Sequence, residues 1–395
     1  MPWNEMIFKV KIEFMRIGIL TLPLHTNYGG ILQAYALQTV LERMGHKVVV
    51  FDTPNRRFLP PLWKMPLSFI KRTIFKFFGK IDRVFIERHY NKTRPVIAKK
   101  IQPFIDKHIN RKEIRSFYNL QSEDFDAIVV GSDQVWRVIY FPGLWLGQQI
   151  ENAYLDFAKN WTIKRIAYAA SFGTNNWEYD EEQTKNCGQL LSMFDAVSTR
   201  EADGIKLCKT KFDINAQHVL DPTMLLDIED YIALFQNANI SKSKGTLLYY
   251  VLDASEEINS LINNVAVEKH LVPFAVNNPF EQDEKKPLCQ RIKPSVEAWL
   301  RGFYDAEFVV TDSFHACVFS ILFRKQFIVV GNKERGMSRF NSLLEMFGLE
   351  NRLVDTKMST ESLEDIDYDV VYTKLSLLKK KSFSFLEKYL KNKYE

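Results

Sequence analysis

The 395-residue sequence has four cysteines, Cys187, Cys208, Cys289 and Cys317, and no two of them form a CxxC pair. Neither a disulfide framework nor a zinc site is therefore indicated, and a reducing cytoplasm fits. No apolar run reaches the roughly 18–20 residues needed to cross a bilayer. The opening "MPWNEMIFKVKIEF" has neither the apolar core nor the cleavage site of a secretory signal. "MRIGIL" at 15–20 reads as a natural chain start, which makes the residues before it an extension without functional weight. The seven histidines show no HExxH or other ligand spacing, so no metal is expected. A GxSxG elbow, a GxGxxG dinucleotide fingerprint and a Walker A loop are also missing.

Acids are scarce in one stretch. Residues 55–112 hold sixteen Lys and Arg against Asp82, Glu87 and Asp106, a net charge of +13 in a chain whose total is +5. The rest therefore carries −8. Trp63, Phe69, Phe75, Phe77, Phe78 and Phe85 are interleaved with these cations. Basic side chains beside large aromatics suit an anionic membrane surface, where each nearby cation contributes about 1 kcal/mol. A solvated helical insertion whose aromatics pack on the domain explains the same pattern. Nucleic acid is not expected, because no recognised nucleic-acid motif accompanies the charge.

What is present points to a large α/β protein. The length exceeds what one core usually serves, and 30 Phe, 16 Tyr and 7 Trp supply apolar volume for two. "RIGILTL" (16–22), the turn-prone "PLHTNYGG", "ILQAYALQTVLERMG" (31–45) and "HKVVVFDT" (46–53) read as strand, loop, helix and strand. "DFDAIVVGSDQVW" (124–136), "RIAYAASFG" (165–173), "FDAVSTRE" (194–201) and "AQHVLDPT" (216–223) repeat one scheme, an apolar strand with a small or polar tip. Such short, non-alternating strands belong in parallel sheets covered on both faces. The pattern loosens at 227–246, the linker candidate, and a second series begins with "TLLYYVLD" (246–253). The predicted architecture is two Rossmann-like, doubly wound parallel-sheet domains, 15–228 and 246–360, facing a cleft. The basic segment is an insertion in the first, and a Lys-rich helix at 361–395 closes the chain.

In open parallel sheets, ligands lie outside the carboxyl ends of the strands. "HTNYGG" can turn at Gly29 and Gly30 and aim helix N–H groups at an anion, although such glycines also serve simply to make a turn. Ser132, Asp133 and Gln134 occupy another strand tip, where Asp133 could bind a substrate hydroxyl or cap the following turn. Arg200 offers bidentate bonds to phosphate or carboxylate, with Glu201 as its ordinary ion-pair partner. His315 is the strongest single candidate. It begins a helix after the strand "EFVVTDSFHA", beside Ser313. A helix start disfavours added positive charge, and a bound anion reverses that preference and makes the histidine a proton donor.

Taken in series, "IGILTLPLHTNYGGILQAYALQTVLERMGH", "DAIVVGSDQVW", "AYAASFG", "VSTREADGIKL", "HVLDPTMLL", "TDSFHACVFSILF" and "SRFNSLLEMFGL" resemble the polysaccharide pyruvyl transferase family. The resemblance runs from about 16 to 350 and omits 55–112. It implies a GT-B-like fold and transfer of the enolpyruvyl carbons of phosphoenolpyruvate onto two sugar hydroxyls, with release of phosphate. By that resemblance His315 and Arg200 are catalytic. By the same resemblance Asn27, Tyr28, Gly29 and Gly30 bind substrate, the strand-tip residues Ser132, Asp133, Gln134 and Ser313 are expected to join them, and no cofactor beyond the donor is needed. Family members carry Arg-Leu-His or similar before the histidine, whereas this chain has Ser313, Phe314 and His315. The missing anion contact then falls to Arg335 and Arg339. The expected partners are phosphoenolpyruvate and a sugar acceptor. A polyprenyl-linked oligosaccharide at the cytoplasmic face of the membrane is the form a peripheral basic patch would suit. The rival expectations are a nucleotide-sugar glycosyltransferase on the same architecture and a non-catalytic subunit of polysaccharide assembly.

Overall fold

The computed structural model describes residues 14–53, 57, 59–60, 62–81, 83–139, 149–331, 337–357, 359 and 363–390. The first sheet contains β1 (Arg16–Leu20), β2 (Lys47–Asp52), β3 (Arg111–Glu113), β4 (Ala127–Val130), β5 (Lys164–Ala170), β6 (Ala196–Thr199) and β7 (Gln217–His218). Their order is β3-β2-β1-β4-β5-β6-β7. The second sheet contains β8 (Leu247–Tyr250), β9 (Pro273–Ala275), β10 (Phe308–Thr311), β11 (Gln326–Val330) and β12 (Leu353–Val354), in the order β12-β11-β10-β8-β9. Neighbouring strands are parallel in both. The chain is an α/β protein of two doubly wound parallel sheets.

Each sheet has one place where the strand order reverses. In the first it lies between β1 and β4, and in the second between β8 and β10. Loops diverge to opposite faces at such a point and leave a crevice above the strand ends. Residues 27–30 and 131–134 border the first crevice and residues 312–315 the second. The sheet topology alone therefore collects three of the expected polar tips.

The two halves share a core. Helix α1 (Tyr28–Arg43) follows β1, and Tyr28 stacks on Trp299 of the helix Val296–Asp305 with ring centroids 5.6 Å apart. The Tyr28 hydroxyl donates to Pro294 O at 2.7 Å. Trp299 is fully buried and meets Tyr250 and Phe319 edge-on. One continuous apolar cluster runs from Ile17, Ile19 and Val129 of the first sheet to Leu248 and Val309 of the second. The helix Tyr368–Leu390 straps both halves. Lys374 donates to Phe347 O in the second, and Ser382 accepts from Leu220 N in the first.

Three local expectations need correcting. Residues 228–237 are not linker but the helix Ile228–Asn237, started by a reciprocal Asp227–Asp230 capping box and buried through Tyr231, Leu234 and Phe235. Helix α1 begins at Tyr28, so Gly29 and Gly30 lie in its first turn and make no loop. The basic segment divides in two. Ile97, Ala98, Ile101, Phe104, Ile105 and Ile109 are buried and lead into edge strand β3, whereas α2 (Met65–Phe77) buries nothing. Burial distinguishes the two parts, and net charge does not.

Because Trp299 joins both halves, Trp299→Ala should destabilise the whole chain by about 3–5 kcal/mol. Equilibrium urea unfolding should show the loss in one transition, and loss confined to a separate second-half transition would contradict the shared core.

Candidate active site

The centre of the crevice is a buried carboxylate. Asp221 follows β7 and is 3% exposed. Its Oδ2 accepts from Arg200 Nη1 at 2.8 Å and from Ser132 Oγ at 2.9 Å. Its Oδ1 accepts from Thr223 N at 3.0 Å and Thr223 Oγ1 at 2.7 Å. His315 Nε2 stands 3.5 Å from Oδ2, its closest ion-pair approach. Burial works against ionising Asp221. The bond and charge of His315, with the Arg200 charge and Thr223, outweigh it and hold the carboxyl well below the usual carboxylate range. Donors from the tips of β4 and β6 thus converge on one side chain, which also faces His315 of the second sheet.

Arg200 is deeply enclosed. Its side chain is 1% exposed, with Nη2 3.5 Å from Asp133 Oδ1 and Nε 3.9 Å from Glu201 Oε2. The Phe314 ring covers the guanidinium at 4.5 Å, and Arg339 approaches the same ring at 5.7 Å. An unpaired cation at this depth would be costly, and Asp221 and Asp133 supply its counter-charge. Its planar fork links the two aspartates at once.

His315 is the second residue of the helix Phe314–Leu322 and lies against the first turn of α1. A Cβ built on Gly29 would stand 2.0 Å from His315 Nδ1. Glycine at 29 is therefore needed for close approach. The helix N-cap residues Asn27 and Ser313 make no side-chain cap hydrogen bond. First-turn N–H groups of two helices are thus left for another acceptor where the helices touch. Asp133, at φ 73°, accepts from Gln134 N at 2.9 Å through Oδ1. Its buried Oδ2 has no hydrogen-bond partner and faces Gly30 and Asn27. Gln134 is pressed against Gly173 and accepts from Arg137.

The structure thus brings Asn27, Tyr28, Gly29, Gly30, Ser132, Asp133, Arg200, Ser313 and His315 to one crevice, with Gln134 at its margin. Tyr28 turns its ring away, into the shared core. Arg335 lies outside the described residues. Asp221 was missed as a site residue, although "HVLDPT" carries the same strand-and-polar-tip signal as the other loops. Phe314 and Gly173 gave no such signal, since their roles depend on what packs over them. Among the described residues no three His, Cys, Asp or Glu side chains are grouped to hold a metal.

The polysaccharide pyruvyl transferase family model matches residues 27–334, a span that includes every one of these loops. The chain belongs to the polysaccharide pyruvyl transferase family. No curated protein matches it. A glycosyltransferase from Rickettsia africae is similar in structure, with 10% identity, TM-score 0.45, and 95% of this chain and 99% of that chain covered. Arabidopsis thaliana UGT89C1, complexed with UDP-L-rhamnose, has 11% identity and TM-score 0.46, covering 94% and 95%. UDP-GlcNAc 2-epimerase from Neisseria meningitidis has 9% identity and TM-score 0.43, covering 95% and 94%.

The Gly29–His315 contact predicts a reversal of sign. Alanine in a helix is ordinarily favoured over glycine by about 0.5–1 kcal/mol. Gly29→Ala should nevertheless lower the thermal midpoint of the wild-type chain, and raise or leave unchanged that of a His315→Ala chain. Lowering in both backgrounds would show that the imidazole is not what excludes the methyl group.

Proposed function

We propose that this transferase-family chain forms pyruvate ketals, using phosphoenolpyruvate as donor and two hydroxyls of a sugar as acceptor. The observation that carries the reading is the convergence of two helix starts without side-chain caps on His315. N–H groups and helix dipoles at such a place favour an anion, and phosphoenolpyruvate carries both a phosphate and a carboxylate. Arg339, held over Phe314, supplies a cation on the second-sheet side.

The residues then take distinct roles. Asp221 Oδ2, 3.5 Å from His315 Nε2, places a negative charge beside the ring, whose Nδ1 lies against the start of α1. His315 gives a proton to the methylene carbon of the donor, making a methyl group and an oxocarbenium-like centre at the neighbouring carbon. One sugar hydroxyl adds there, forming a C–O bond. The second hydroxyl forms the other C–O bond as the bond to phosphate oxygen breaks. Of the two hydroxyl protons released, one restores the histidine and the other leaves with phosphate. The unpartnered Asp133 Oδ2 is suited to accept a hydrogen bond from an attacking hydroxyl. The step balances without a metal or organic cofactor. General acid help from His315 accounts for roughly 10²–10⁴-fold of the rate.

Thermal unfolding with phosphoenolpyruvate, inorganic phosphate and uridine or guanosine diphosphate tests the donor. Phosphoenolpyruvate at about 100 times its dissociation constant should stabilise the chain by about 2.7 kcal/mol. His315→Gln should keep most of that shift but lose phosphate release with a sugar acceptor by at least about a hundredfold. Stabilisation by one nucleotide and none by phosphoenolpyruvate would instead favour glycosyl transfer.

A further inference from the structure

The hydrophobic side chains of α2 face the wrong way for a helix packed on a globular domain. None of its thirteen residues is buried. Leu67, Ile70, Ile74 and Phe77 recur at helical spacing and are exposed, Leu67 by 73% and Phe77 by 85%. Leu62, Trp63 and Phe78 extend the exposed set beyond both ends of the helix. Residues 62–80 contain no acid and five cations, Lys64, Lys71, Arg72, Lys76 and Lys80. Among the described residues, Arg72 is the one of these five that forms an ion pair, to Glu87 at 2.7 Å.

The helix is nevertheless firmly presented. Arg72 binds Glu87 through two hydrogen bonds, and Phe69 packs edge-on against Phe85 at 5.2 Å. Arg83, just beyond, pairs at 2.7 Å with Glu284 of the second half. Arg72 and Phe69, which hold the segment, lie on the helix face opposite the apolar stripe, and Lys71 lies at the margin of that stripe.

We propose that α2 is a membrane-docking helix that lies in the interface of an anionic lipid bilayer, with Leu67, Ile70, Ile74 and Phe77 among the acyl chains and the lysines on the headgroups. Charge complementarity selects this occupant. An uncharged protein groove would satisfy the stripe and leave the lysines facing apolar surface, whereas an anionic bilayer satisfies both. The spacing and exposure fit a helix lying on the surface, and among the described residues no helix is long and apolar enough to cross a membrane. The inference stands independently of the donor assigned above.

The full chain is sedimented with vesicles of phosphatidylcholine alone and of phosphatidylcholine mixed with an equal part of phosphatidylglycerol. Binding to the anionic vesicles should exceed binding to the neutral ones by at least about tenfold, and salt at about 1 M, where the Debye length is about 3 Å, should weaken it. Leu67→Ser with Phe77→Ser, and separately Lys71→Glu with Lys76→Glu, should each cut anionic binding by about tenfold or more. These exposed positions carry little folding risk, and an unchanged thermal midpoint verifies that. Equal binding to both vesicles, no binding, or binding indifferent to the variants would overturn the proposal. Dimerisation of the free chain abolished by Phe77→Ser would do so too, by assigning the stripe to a second copy.

Discussion

A single buried carboxylate sets the terms for the rest of the crevice. Asp221 takes hydrogen bonds from Thr223, Ser132 and Arg200 and faces His315 across the boundary between the two sheets. Arg200 would be costly to bury without Asp221 and Asp133 as counter-charges, and the Phe314 ring lies over the guanidinium so compensated. The imidazole, once fixed by the aspartate, reaches so close to α1 that residue 29 has no room for a side chain. Each of these demands follows from the one before.

The same arrangement explains why stability is given up locally. Asn27 and Ser313 are residue types that commonly cap a helix through their side chains, and neither does so here. Asp133 adopts a left-handed backbone conformation and keeps one buried oxygen without a partner. A buried oxygen left this way can take a hydrogen bond from a ligand. The stacked Tyr28 and Trp299, with the strap Tyr368–Leu390, supply the surrounding rigidity that keeps such a site open.

Much of the architecture was legible because the strands are short, apolar and non-alternating, and each ends in a polar tip. β3 was not, since "RKE" has no apolar signature and earns its place only by pairing with β2. The start of α1 was misplaced by reading Gly29 and Gly30 as turn residues, when a neighbour distant in sequence dictates Gly29. The loops of the crevice could likewise be found from the tips, but depth could not. Arg200 looks like an anion ligand in "STRE", and only its contacts with Ser132 and Asp221, 68 and 21 residues away, show it to be internal. The basic segment hid a similar division, with core at one end and a solvent-facing apolar helix at the other.

The most direct test of the account is a double-mutant cycle between Arg200→Leu and Asp221→Leu, read by urea unfolding. Breaking a buried pair from one side should cost about 3–5 kcal/mol, because the remaining charge has lost its partner. The double replacement should cost less than the sum of the two single ones, with a coupling of about 1–3 kcal/mol. Additive losses would mean that the Arg200–Asp221 pair does not hold the crevice together, and that the placement of His315 has another origin.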